Sequence, residues 1–77
     1  MNHRVSTYRN AGLEARWGHT SQGAPAIFVR NPKATLAHQR NSWWMVTDGM
    51  YKDMAKVGVV EAFDRHTLVG DVFSVPA

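Results

Sequence analysis

The chain has 77 residues, of which 44% are hydrophobic and 19% charged, with no cysteine and a formal net charge of +3. This balance excludes the low-hydrophobicity, high-charge signature of disorder, the length suits a single folded domain, and the missing thiols exclude disulfides and cysteine-ligated metal. The charge is polarised, because Arg4, Arg9, Arg16, Arg30, Lys33 and Arg40 face only Glu14 in the first forty positions, whereas residues 41–77 carry a formal charge of −2.

A domain of this size removes only about 60% of its unfolded surface from water and holds a stability of roughly 4 to 12 kcal/mol, so most large apolar side chains are expected in the core. Residues 1–10 read as a flexible basic arm: Val5 and Tyr8 are the internal residues suited to burial, and they form no continuous amphipathic face. The polar residues around them leave no apolar run for a secretory signal, and nowhere do 18 apolar residues follow one another as a membrane span requires.

From residue 11 to 77 the pattern predicts one α+β domain. Leu13, Ala15 and Trp17 alternate with Glu14 and Arg16, the period of a strand with one buried face, which predicts a strand over 13–18. A stretch rich in turn residues, 18–25, leads to a second strand over 26–30, Ala-Ile-Phe-Val-Arg, and the two make a long-looped hairpin. Asn31 followed by Pro32 is a helix-start signal, since the Asn side chain can cap and Pro at the first helical position gives up only an unused donor. It predicts a short, partly exposed helix over 32–40. Residues 42–46 form the next strand, where Trp43 and Trp44 point to opposite faces. One of the pair is then core, together with Trp17 and Phe28, and the other is a contact residue.

The strongest helical pattern follows. Met50, Met54 and Val57 share one stripe, Thr47 can cap it, Asp48 and Lys56 complement its dipole, and Gly58 can stop it. The predicted helix is 48–57, with the stripe buried and Lys52 and Lys56 outside. Residues 59–63 and 68–75 then read as strands joined through 64–67, a second hairpin. The expected fold class is therefore α+β, a small single domain with two β-hairpins packed around one main helix.

Catalytic chemistry finds no support in these residues. His3, His19, His38 and His66, even with Asp64 and Asp71, match no metal-ligand spacing, the serines lack a nucleophile elbow, and there is no glycine-rich phosphate loop, so neither cofactor nor metal is expected. The six cations of the first half are instead candidates for binding a partner: acidic protein or, with Trp17, Phe28, Trp43, Trp44 and Tyr8 as stacking platforms, nucleic acid. A helix followed by a hairpin also permits a winged-helix reading, although Asp48 and Asp53 on that helix oppose duplex DNA.

The stretches Arg9-Asn10-Ala11-Gly12-Leu13-Glu14-Ala15-Arg16-Trp17 and Asn41-Ser42-Trp43-Trp44-Met45-Val46, with the small size and basic charge, resemble small phage-encoded transcription regulators of the Xanthomonas phage type. The resemblance implies a non-enzymatic protein of the bacterial host cytoplasm. It would bind bacterial RNA polymerase near the RNA exit channel, inhibit initiation and promote read-through of terminators. The expected partners are then an acidic polymerase surface and the emerging RNA, with direct DNA binding weak or absent. A stand-alone nucleic-acid-binding module and a phage-type inhibitor of another host or defence complex are the other readings.

Overall fold

The computed structural model describes residues 3–68 and 74–76. It is an α+β domain in which the described residues form four strands of a single antiparallel sheet, neighbouring one another in chain order. Among the described residues no helix is long and apolar enough to cross a membrane.

The expected flexible arm at residues 1–10 is corrected by helix α1, His3–Asn10, whose Val5 and Tyr8 lie three residues apart on one face and enter the core. Burial of those two side chains supplies the order that the weak local pattern does not. A Schellman turn ends the helix: Leu13 N–H donates to Tyr8 O at 3.1 Å and Gly12 N–H to Arg9 O at 3.0 Å. Gly12 sits at φ 95°, a conformation that side chains with a Cβ resist. Burial also raises the Tyr8 phenol above its ordinary pKa, against the opposing pull of Arg4.

The first hairpin forms as expected. Strand β1, Glu14–His19, pairs antiparallel with β2, Pro25–Arg30, in a register that sets Arg16 opposite Phe28 and Ala15 opposite Val29. In the loop between them, Thr20 Oγ1 accepts from the Gln22 and Ala24 amides.

The Asn31-Pro32 signal makes its cap but not its helix. Asn31 Oδ1 accepts from Lys33 N–H at 3.0 Å, yet Leu36 is extended and the Ala34 and Thr35 carbonyls accept from the Arg40 guanidinium. Helix α2 is consequently confined to Ala37–Asn41. Strand β3, Ser42–Met45, then pairs with β2, and β4, Ser74–Pro76, pairs with β3.

Helix α3, Asp48–Val57, has the limits and caps that its sequence predicts: Thr47 Oγ1 accepts from Met50 N–H at 3.1 Å, and Gly58 N–H donates to Met54 O. Met50 and Met54 are buried, while Val57, expected in the same stripe, is 36% exposed. The second expected hairpin is corrected more deeply. Residues Val59–Thr67 form helix α4 directly after Gly58, and α3 and α4 pack as a helical pair. The β-branched pair Val59-Val60 favours a strand locally, but half-buried Val59 and buried Ala62, Phe63 and Thr67 lie at helical spacing and reach the core only as a helix. Glu61 and Arg65 add an i,i+4 ion pair at 2.9 Å. The other strand of that hairpin, expected at 68–75, falls mostly outside the described residues. Helix α4 stands where the first strand of a wing was expected.

One apolar cluster joins Val5, Tyr8, Leu13, Ala15, Ile27, Val29, Trp44, Met50, Met54, Ala62 and Phe63. Beside it lies a satisfied polar seam. Gln39 Nε2 donates to Thr67 Oγ1 at 2.9 Å, His38 Nε2 donates to Thr67 O at 2.7 Å, and Trp44 Nε1 donates to His38 O at 3.1 Å. These bonds lock α2, β3 and α4 together and give the buried side chains of Gln39 and Thr67 a partner in each other.

Candidate functional site on the open face of the sheet

Strand alternation divides the sheet into two faces. Ala15, Ile27, Val29 and Trp44 point into the core with the helices, so Glu14, Arg16, Gly18, Phe28, Arg30 and Trp43 share the opposite face. Trp43 is only 9% exposed although it lies outside the apolar cluster. Cations cover it instead. The Arg16 guanidinium carbon sits 4.3 Å from the Trp43 ring centroid and that of Arg30 sits 4.8 Å away, both within cation–π range.

Register brings these groups together. Arg30 stands directly opposite Glu14 across the β1–β2 pair and donates from Nε to Glu14 Oε1 at 2.7 Å, and the two form an ion pair. Arg16, opposite Phe28, has no ion pair with an acid among the described residues. A depression of about 470 Å³ opens at one end of the face, lined by Arg9, Glu14, Arg16, Arg30 and Trp43 among others. Phe28 is half-buried and its ring lies beside Gly18, where an added Cβ would come within 3.0 Å of ring atoms Cδ1 and Cε1. Glycine at 18 thus makes room for a ring laid across the strands.

The six cations expected at a partner surface divide into different roles. Arg16 and Arg30 meet over Trp43. Arg9 reaches the same depression, but its Nε and Nη2 donate to Ala15 O at 3.2 and 2.8 Å and tie α1 to β1. Arg4 lies over the Tyr51 ring at 4.2 Å and joins α1 to α3. Arg40 holds the Ala34 and Thr35 carbonyls, and Lys33 is exposed on the preceding loop. The polarised charge of the sequence is therefore distributed, and only part of it belongs to one site.

The tryptophans also divide differently from expectation. Trp44 is core, whereas Trp17 has core parity but is 47% exposed, beyond the apolar cluster on edge strand β1. It lines a second depression of about 480 Å³ with Arg4, Thr47 and Asp48. The sequence signal for an outward Trp43 was present in the opposite-face alternation of Trp43 and Trp44; its guanidinium cover required the three-strand register.

Elsewhere, His66 Nε2 and Asp53 Oδ2 lie 2.7 Å apart and join α4 to α3. The hydrogen bond from His66, aided by its charge, holds the Asp53 carboxyl below its ordinary pKa. His38 is occupied with Thr67, and His19 is on β1, so these imidazoles serve separate parts of the fold. The open face offers guanidinium donors and an aromatic surface, a chemistry of recognition for carboxylate, phosphate and planar rings. No family model, no curated protein and no solved structure matches the chain.

Proposed function

We propose that the protein is a non-enzymatic regulator of the phage type that binds bacterial RNA polymerase in the host cytoplasm, inhibits transcription initiation and promotes read-through of terminators. The observation that carries the reading is the pair of guanidiniums stacked on Trp43 on the sheet face away from the helices. Stacking orders two long side chains before a partner arrives, which lowers the entropic cost of using them at an interface. Their planar donor forks suit the carboxylates of an acidic protein surface and the phosphates of a transcript. The resemblance of residues 9–17 and 41–46 to phage regulators supports polymerase as the partner, and both stretches contribute to this face.

Association with purified bacterial RNA polymerase, followed by initiation and terminator read-through assays, tests the proposal. Charge reversal at Arg16, Arg30 and Lys33 is expected to slow association, flatten its salt dependence and remove both transcriptional effects while the domain remains folded. Failure of the parent protein to associate with polymerase overturns the reading. A folded triple variant with full binding and activity removes the sheet face from it.

A further inference from the structure

We propose that the ligand of the open sheet face is a single-stranded nucleic acid, with a base stacked on Phe28 and its flanking phosphates held by Arg16 and Arg30. The inference rests on the regulator reading only in giving that same face a ligand; its physical argument is the arrangement of rings and cations.

Arg16 is the direct cross-strand partner of Phe28, and Arg30 lies two residues along the same strand on the same side, so both cations are neighbours of the ring. A base seated on the half-buried ring then places its neighbouring phosphates within reach of guanidinium donors. Trp43 is not the stacking platform, because Arg16 and Arg30 already cover it. It holds the two cations beside Phe28. The room above Gly18 lets the Phe28 ring lie across the strands, as stacking requires. An acidic protein surface would satisfy the cations but would leave the ring without a role. Duplex DNA buries its bases' faces in its own stack and offers nothing to Phe28.

The charge arithmetic gives a measurable signature. Two phosphates neutralised on a single strand give a slope of about −1.4 in log affinity against log salt, and loss of one cation reduces it to about −0.7. Glu14 lies on this face and pairs with Arg30. Glu14→Gln releases Arg30 and is expected to tighten binding and steepen the slope.

The test is fluorescence anisotropy of the full chain, without polymerase, against labelled oligo(U) and oligo(dT) of about twelve nucleotides and a duplex of the same length. Single strands are expected to bind more tightly than duplex. Phe28→Ala is expected to weaken them roughly 5- to 150-fold, the range of one stacked base. Arg16→Gln, an exposed position that keeps the domain folded, tests the cation independently should Phe28→Ala unfold. Lys52→Gln, at an exposed position of α3, is expected to change nothing. Preference for oligo(U) assigns the transcript and preference for oligo(dT) a melted DNA strand; both support the site. No single-strand binding, equal duplex binding, or equal losses from Arg16→Gln and Lys52→Gln overturn it. Polymerase association that depends on Arg16 and Arg30 without oligonucleotide binding shows that the face takes an acidic protein instead, which overturns this inference and leaves the regulator reading standing. Single-strand binding without polymerase association does the reverse.

Discussion

Trp43 and Trp44 are adjacent in the chain, both largely hidden from water, and buried by opposite means. Trp44 faces inward, 2% exposed, among the apolar side chains of the strands and helices, with its Nε1 donating to the His38 carbonyl. Trp43 faces outward under the guanidiniums of Arg16 and Arg30. The inner face spends its contacts on holding the fold. The outer face holds side chains in position over an otherwise open surface, at weaker energies, so that the same sheet can be stable on one side and available on the other.

The comparison is broken most directly by truncating each tryptophan. Trp44→Ala is expected to lose about 3 to 5 kcal/mol, a large part of the domain's stability, because it leaves a cavity and an unpaired carbonyl. Trp43→Ala is expected to lose less, about 2 to 3 kcal/mol, because the flexible Arg16 and Arg30 side chains that cover it can relax into the space it leaves. Urea unfolding of both variants checks the difference, and equal losses would dissolve the distinction between the faces.

Next in size, the inner face extends to both ends of the described fold. Tyr8→Ala is expected to lose about 3 kcal/mol and Met54→Asp at least as much, the first by a cavity under α1 and the second by an unpaired carboxylate facing the core. An unchanged melting temperature for Tyr8→Ala would return residues 3–10 to the status of an appendage. Arg16→Gln sharpens the other side, with less than about 1 kcal/mol of stability lost but a clear loss of partner binding.

The smallest effect concerns the α3–α4 seam. Asp53 has a lowered pKa in the folded state, so the folded form binds its proton less readily than the unfolded form does. Its contribution to stability is present above the ordinary carboxylate range and is lost as pH falls through the folded value. Thermal melts of the parent and Asp53→Asn should therefore differ near neutral pH and converge in acid. A difference that persists unchanged to low pH would mean that the Asn variant perturbs packing and not the pair with His66.

Local patterns were sufficient wherever one face of an element alternates cleanly and its ends carry their own signals. That is why the first hairpin, strand β3 and helix α3 with its Thr47 and Gly58 caps were legible, as was the opposite orientation of Trp43 and Trp44. Arg16 and Arg30 could be picked out as cations, but not as a pair, since their meeting over Trp43 depends on the register of three strands. Tertiary structure alone decided α1 and α4. Val5 and Tyr8 are too few to order eight residues by themselves, and Val59 to Phe63 satisfy a strand pattern as readily as a helical one. Both segments became helices because that conformation delivers Val5, Tyr8, Ala62 and Phe63 to the same apolar cluster, and burial against distant residues outweighs the small energies of local preference.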